Sequence, residues 1–144
     1  MGTKSIREIV ETALVTHLSA QTELAGTNVE KGNDIDVMAL PTVVVSCEAV
    51  ANMGDLPEGL GNYSCTVQVG VFTSADVSTA LASHRDRCAA VLGAMQDVTA
   101  IKTAFTTGAD ATCYDVLYQS HDDSKGDRAF GMMATYLVYA VLPA

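Results

Sequence analysis

Basic residues are scarce in this sequence, where 8 Lys and Arg stand against 17 Asp and Glu and give a formal net charge of −9. The few basic residues do not form a block anywhere in the chain. Surfaces that bind nucleic acid need clustered Lys and Arg to contact phosphates. The composition therefore argues against a protein that binds nucleic acid specifically.

Long apolar runs are also missing, although 49% of the residues are hydrophobic and only 17% are charged. No stretch approaches the roughly 18 apolar residues that a membrane helix needs, so we expect no membrane contact. Ordinary domains carry about 25% charged residues. A chain of 144 residues is the size of one domain, residues 1–144, and its excess of apolar side chains predicts contacts between subunits.

Paired cysteine motifs are absent too, because the four cysteines are widely spaced and form no Cys-x-x-Cys pair. This spacing gives little support to a zinc site. Free cysteine behaves as a small hydrophobic residue. We expect Cys47, Cys65, Cys88 and Cys113 to be buried free thiols in a reducing cytoplasm.

No residues form a credible active site. His17 and His84 fall within the apolar stripes of predicted helices, which favours a core or interface role over catalysis. His121 stands beside Asp122 and Asp123, but this segment lacks the acidic spacing of a calcium-binding loop, so a solvated turn is predicted. The glycines form no phosphate-binding motif. We therefore expect no catalytic residue, cofactor or metal.

The first half of the chain predicts one helix and two strands. A Ser-x-x-Glu capping box begins a helix over Ser5–Ala20. After a polar segment and a proline, the β-branched run Thr42–Cys47 predicts a strand. A Gly- and Pro-containing loop over Asn52–Asn62 leads to an alternating strand, Tyr63 to Thr73, which pairs with the first strand in an antiparallel manner if the two form a long-looped hairpin.

The second half predicts two helices and two more strands. A helix begins at Ser74 or Asp76, and Asp97 caps a short further helix through Phe105. One stripe of the longer helix has alternating spacings of three and four residues: Val77, Leu81, His84, Cys88, Val91 and Met95.

The last two predicted strands are Cys113–Gln119 and Phe130–Leu142, joined by a polar hairpin tip over Ser120–Ala129. The resulting order α-β-β-α-(α)-β-β predicts an α+β fold, with a mainly antiparallel four-stranded sheet and the helices packed on one face.

The last strand is apolar on both faces, which is typical of a strand that is buried on both. The helices of so short a chain can cover only one face, so a partner subunit is expected to cover the other. Phe130, Met132, Tyr136 and Val138 point one way, whereas Met133, Leu137, Tyr139 and Val141 point the other.

Two further sets of residues are candidates for a subunit interface. Ala75, Ala82 and Ala89 recur every seven residues on the back of the longer helix and would allow another chain to approach, although alanine is also a good helix former on an exposed face. The second set consists of charged residues that could form ion pairs at the rim of an interface between subunits, or could simply be solvated. Exposed ion pairs set the register of an interface more than its affinity. The residues are Arg85, Arg87 and Arg128, with Asp122, Asp123 or Asp127 of a neighbour.

In layout the chain resembles the tail terminator proteins of long-tailed bacteriophages. The helix SIREIVETALVTHL precedes a proline-led strand, LPTVVVSCEA, and an alternating strand, YSCTVQVGVFT. A helix, VSTALASHRDRCAAVLGAM, a segment DVTAIKTAF and the strands TCYDVLYQS and AFGMMATYLVYAV follow. The resemblance covers nearly the whole chain but includes no fingerprint residue, and this chain has no long basic or aromatic arm.

That resemblance implies a non-enzymatic virion protein of the tail or neck, assembled in the cytoplasm of the host bacterium. Its subunits would form a hexameric ring that caps the tail tube, stops its polymerisation and joins it to the head. The expected partners are the tail-tube protein and a neck or connector protein. DNA would only pass through the lumen, which a negative net charge suits.

Two other interpretations remain open at this point. The chain could be another head–tail connector, a neck subunit or the tail-tube protein itself. It could also be a small oligomeric α+β enzyme or ligand-binding module, which would require His121 or Tyr114 to lie in a concave pocket.

Overall fold

Three α-helices and five β-strands make up the part of the chain described by the computed structural model, which covers residues 5–31, 41–53, 61–74, 80–108, 111–125 and 129–142. This confirms the α+β class. The elements are α1 (Ile6–Ser19), a 3-10 turn (Thr22–Leu24), β1 (Asn28–Lys31), β2 (Thr42–Met53), β3 (Gly61–Ser74), α2 (Ala80–Gln96), α3 (Val98–Gly108), β4 (Thr112–Lys125) and β5 (Ala129–Leu142).

The strands form one sheet in the order β1-β2-β3-β5-β4. The three pairings β2–β3, β3–β5 and β4–β5 are antiparallel, whereas β1 runs parallel to β2. The sheet is therefore mainly antiparallel, as predicted, but it has five strands and not four. The sequence prediction missed β1 because Asn28–Lys31 is short and polar, and it is a strand through its pairing with β2.

Helix α1 is fixed at its start and along its side. Ser5 caps it, since its side chain accepts a hydrogen bond from the backbone N–H of Glu8 at 3.2 Å, as the capping box predicts. Strand β1 pairs with β2 only as far as Val45. Beyond that point, Cys47 N–H donates to Glu11 at 2.8 Å and Cys47 C=O accepts from Arg7 at 2.6 Å. Two charged side chains of α1 thus bind the backbone of β2 beyond its described pairing with β1.

The hydrophobic core lies between the sheet and the helices on one of its faces. Strand residues such as Val67, Val69 and Val138 are fully buried there. The helices contribute Leu14 and Phe105, also fully buried. All four cysteines are free, and three of them are buried in this layer, while Cys88 is half-buried.

Helices α2 and α3 follow the predicted pattern with one correction. His84, Val91 and Met95 of the α2 stripe are buried, but Leu81 is 41% exposed because it lies at the edge of the covered sheet. Residues 75–79, which include the predicted helix start, lie outside the described residues. Asp97 caps α3 as predicted, since its carboxylate accepts from the N–H of Ala100 at 3.2 Å.

Strand β4 is longer than the sequence suggests. The predicted hairpin tip began at Ser120, yet the strand continues to Lys125, and Asp122 and Asp123 pair with Met133 and Met132 of β5. The polar second half of β4 forms a strand because it pairs with the apolar strand β5. Residues 126–128 lie outside the described residues.

Candidate interaction surfaces

The side chains of strand β5 alternate between the two faces of the sheet, as the sequence pattern predicts. Its even-numbered residues from Met132 to Ala140 face the helices and are buried. Its odd-numbered residues lie on the opposite surface, which we call the open face, and they are half-buried. The predicted interface residues Met133, Leu137, Tyr139 and Val141 all lie on this open face.

The centre of the open face is apolar. Leu137 of β5 lies directly across from Leu117 of β4, which is 42% exposed, and across from Thr66 of β3 on its other side. Tyr139 lies between Asp115 and Ser64 in the same way. The described part of the chain leaves these apolar side chains half-covered, so the open face can accept another protein surface.

The back of α2 also faces solvent. Ala82 and Ala89 are exposed, and a Cβ added to Gly93 would meet nothing within 4 Å. Ala75, the third alanine of the predicted series, lies outside the described residues. The small side chains on this surface would allow the close approach of another backbone.

The predicted rim residues separate into three groups. Arg85, Asp122 and Asp123 are exposed. Arg87 is half-buried and engaged within its own subunit, because its guanidinium donates to the hydroxyl oxygens of Thr27 at 3.2 Å and Thr73 at 3.4 Å. The last pair, Asp127 and Arg128, lies outside the described residues.

A cleft of about 600 Å³ separates α2 from the β4–β5 hairpin, and we call it the α2–β4 cleft. Leu81, Arg85 and Leu92 form its helix wall, while His121 and Asp123 form its strand wall. A second cavity of about 390 Å³ shares Leu92 and His121 with it and continues towards Tyr118 and Tyr136. Sequence analysis did not find this cleft because its walls are far apart in the chain.

His84 forms part of the cleft lining and is almost fully buried. Its Nδ1 lies 3.0 Å from the hydroxyl oxygen of Thr73, and its ring stacks on Phe130 at a centroid distance of 5.7 Å. Burial lowers the pKa of His84, although the carboxylate of Asp123 acts in the opposite direction. The imidazole is therefore neutral near pH 7.

Cys88 is the one nucleophilic side chain among the described residues that line this cleft. Its sulfur lies 3.4 Å from Nε2 of His84, a pairing that could resemble a Cys–His nucleophile. Burial, however, raises the pKa of Cys88 to about 11. Because an activated cysteine has a lowered pKa, the contact is a packing interaction between two neutral groups.

The two remaining polar candidates lie on β4. His121 lines the cleft and is exposed, with its Nδ1 2.6 Å from the hydroxyl of Tyr118. Tyr114 is 58% exposed. Across the described ranges, no three His, Cys, Asp or Glu side chains are placed to hold a metal ion. In the same ranges, no helix is long and apolar enough to cross a membrane.

His17, the other histidine of a predicted apolar stripe, belongs to the core. It is buried, and its Nε2 lies 2.8 Å from the backbone carbonyl of Ala94, which ties α1 to α2. The prediction that His17 and His84 are buried residues within their helical stripes is confirmed.

Comparison with known proteins gives a match in structure but not in sequence. No protein-family model matches the chain, and no curated protein matches it. Among the solved structures, a chain from the virion of a native gene transfer agent particle shares the fold with a TM-score of 0.65 at 17% sequence identity. The match covers 91% of this chain and 93% of that chain, so the two share one fold over nearly their whole lengths.

Proposed function

We propose that this protein is a structural subunit of a virion, and more specifically a tail terminator. Its subunits form a hexameric ring that caps the tail tube, stops its polymerisation and joins the tail to the head or neck. Two independent observations support this proposal. The order of elements resembles that of tail terminators, and the fold matches a virion chain over 91% of the protein.

The full-length fold match is the observation that carries the proposal. The match covers more than nine-tenths of both chains, so it includes nearly every element of the sheet and the helices. The proposed virion role is taken from the particle in which the structural neighbour is found, and a shared fold alone does not assign function. The surfaces of this chain must therefore support assembly on their own physical grounds.

Those surfaces support assembly because large apolar side chains remain uncovered. Tyr114, Leu117 and Tyr118 of β4 are all between 42% and 58% exposed. Of these, Leu117 lies beside Leu137 and extends the apolar part of the open face, and contiguous exposed apolar surface usually marks a protein–protein contact. In the proposed ring, neighbouring subunits cover the open face at Met133, Leu137, Tyr139 and Val141, and the α2 back at Ala82 and Ala89, while Arg85 lies at the polar rim.

The charge of the chain suits the proposed lumen. With a net charge of −9, a ring of six copies repels a passing DNA duplex and does not retain it. The chemistry of the α2–β4 cleft agrees with a non-catalytic role, since burial raises the pKa of Cys88 to about 11 and leaves its thiol protonated at neutral pH.

Native mass spectrometry and a tube-growth assay test the proposal together. The purified protein should assemble into a closed ring of six copies. Added to a growing tail tube of the corresponding virion, it should shorten the tubes seen by electron microscopy and appear at one end of them.

The alternatives give different results in the same assays. A tail-tube subunit extends into tubes of unlimited length at high concentration, because its subunit contacts do not end in a closed ring. A protein that stays monomeric both alone and with tail tubes, and leaves tube length unchanged, contradicts the tail terminator proposal.

A further inference from the structure

Strand β4 forms one edge of the sheet, and no described strand lies beyond it. It is fourteen residues long, whereas β1 at the opposite edge has four. One side of β4 pairs with β5 along nearly its whole length. Two backbone groups of β4 are already bonded within the strand, because the Val116 N–H donates to the Asp115 carboxylate and the Asp115 C=O accepts from the Cys113 thiol. The remaining groups on its outer side can pair with one more extended chain.

The side chains of β4 are unusual for a simple protected edge. Tyr114, Leu117 and Tyr118 expose large apolar surfaces. Asp115, Asp122 and Asp123 add three negative charges, and the one Lys or Arg of the strand is its last residue, Lys125. The edge thus combines strand-pairing backbone, apolar contact area and a net negative charge.

A second copy of this chain fits that edge poorly. An antiparallel pair of β4 strands over their full length places Asp115 of each copy opposite Asp122 of the other. Like charges directly across a sheet destabilise the pairing, and the symmetric pair contains this contact twice. The acidic strand therefore disfavours self-pairing.

The other edge strand offers no better match among the described residues. Strand β1 has four residues, and its basic residue, Lys31, already donates to the Thr12 hydroxyl at 3.1 Å and lies 3.9 Å from a Glu8 carboxylate oxygen. Among the described segments, no strand is both free to cover β4 and basic enough to neutralise it, so a partner protein is the source that we consider.

We propose that the free edge of β4 binds an extended, basic segment of a partner protein by strand addition. Main-chain hydrogen bonds hold the segment, and its alternate side chains select it. On the open face, its Lys or Arg residues contact Asp115 and Asp122. On the opposite face, which the helices cover, apolar residues of the segment border the α2–β4 cleft. They lie beside His121, which lines that cleft, and beside Tyr118, which lines the adjoining cavity.

This proposal adds a partner-binding edge to the proposed virion role but does not depend on the ring. The partner is identified by its chemistry: a polypeptide strand with basic and apolar residues in alternation. A nucleic acid is excluded as the occupant, because its phosphates would face the same aspartates.

The test uses a fluorescein-labelled ten-residue peptide of alternating Lys and Val, whose binding to the full chain is measured by fluorescence anisotropy at physiological salt. Two matched peptides serve as controls, one with Glu in place of Lys and one with alternate backbone nitrogens methylated. We expect the Glu peptide to bind at least about tenfold more weakly. The methylated peptide should not bind, because it cannot complete the hydrogen-bond ladder.

Protein variants locate the site. Asp115→Asn combined with Asp122→Asn should weaken the Lys peptide about 3- to 10-fold. The matched variant, Glu23→Gln with Asp86→Asn, removes two exposed charges away from β4 and should leave binding unchanged. Hydrogen–deuterium exchange should show peptide-dependent protection of residues 112–125.

Three results would overturn the proposal: no binding of the Lys peptide, equal binding by the methylated peptide, or protection outside β4. Protection of β4 that rises with protein concentration in the absence of peptide would also overturn it, because a second copy would then occupy the edge. Native mass spectrometry of the wild type without peptide measures ring formation by itself. The mass of the assembly therefore tests the ring proposal, and peptide binding separately tests the strand-addition proposal.

Discussion

The ring of Phe72 lies over Gly70 on the open face of the sheet, so closely that a Cβ at position 70 would stand 2.8 Å from the Phe72 Cε2 atom. The Met133 methyl group lies on the same spot, 3.2 Å from that Cβ position. Glycine is therefore required here by an aromatic side chain that covers the backbone. At this end, the open face has a packed apolar surface of its own.

Gly70→Ala should destabilise the protein by about 1 kcal/mol, because the added methyl group forces the Phe72 ring away from the sheet. In a Phe72→Ala background the same substitution should cost nothing or stabilise slightly, since alanine restricts the unfolded chain more than glycine does. Urea unfolding of the four proteins at one protein concentration measures this coupling. Equal costs in both backgrounds would show that Phe72 does not occupy the space above Gly70.

Gly93 gives the opposite prediction for a glycine with no neighbour. It lies within α2, and a Cβ there meets nothing within 4 Å. Gly93→Ala should raise the free energy of unfolding by about 0.5–1 kcal/mol, because glycine is a poor helix former. Urea unfolding of the isolated subunit measures the change, and a loss of stability would mean that a Cβ at position 93 meets another residue of the same chain.

Leu137→Lys should prevent assembly while the subunit stays folded. Leu137 is half-exposed on the open face, so the lysine stem can lie along the sheet with its ammonium group in water. In the proposed ring, that charge would be buried against a neighbour without a partner. Native mass spectrometry should show monomers, and circular dichroism should show wild-type secondary structure.

Thr103→Lys is the matched control for this experiment, because Thr103 is exposed on α3, away from the open face. It should assemble like the wild type. If Leu137→Lys instead unfolds the subunit, Leu137 belongs to the core. If it assembles normally, the open face is not the subunit interface.

Local patterns in the sequence were sufficient to predict most of the elements but not the edges of the sheet. The caps of α1 and α3 involve residues three positions apart, and the alternation of β3 and β5 is visible in single segments. Strand β1 and the second half of β4 are polar and become strands only by pairing with β2 and β5. The residues of these two segments form no local pattern that predicts the pairing.

The candidate surfaces were predicted to a similar extent. The two-faced pattern of β5 located the open face correctly. The inward orientation of Arg87 could not be predicted, because its acceptors, Thr27 and Thr73, are far away in the chain. The same reason applies to the α2–β4 cleft, since α2 and the hairpin that form its walls are joined through α3 and not directly.

Cys88 should react slowly with iodoacetamide in the folded protein. Burial raises the pKa of Cys88 to about 11, and the same cause raises the pKa of Cys113 to about 11. The thiolate fraction at neutral pH is therefore more than about 100-fold below that of a free cysteine. Peptide mass spectrometry should find Cys88 modified before the buried Cys113, because Cys88 is half-exposed.

Unfolded protein in urea is the reference for this reaction, and all four cysteines should then react at the rate of free cysteine. A native Cys88 that reacts as fast as free cysteine would reveal a thiolate activated by His84. That result would favour the enzyme interpretation over the structural one.

The stability of the fold should fall as the pH drops below about 6.5, through His84. Burial lowers the pKa of His84 below its ordinary value of 6.5, so the unfolded chain takes up a proton before the folded protein does. Its contribution to stability is complete above pH 6.5 and is lost as the pH falls towards the lowered pKa. The slope from this one group is at most about 1.4 kcal/mol per pH unit.

Two variants isolate this effect in urea unfolding at pH 7.5 and 5.5. His84→Asn keeps a polar group near the Thr73 hydroxyl but cannot take up the proton, so it should lose less stability than the wild type between these values. Gln96→Asn changes an exposed residue that takes up no proton and should lose as much as the wild type. Equal losses in the wild type and His84→Asn would show that His84 accepts its proton as readily when folded, despite its burial between Thr73 and Phe130.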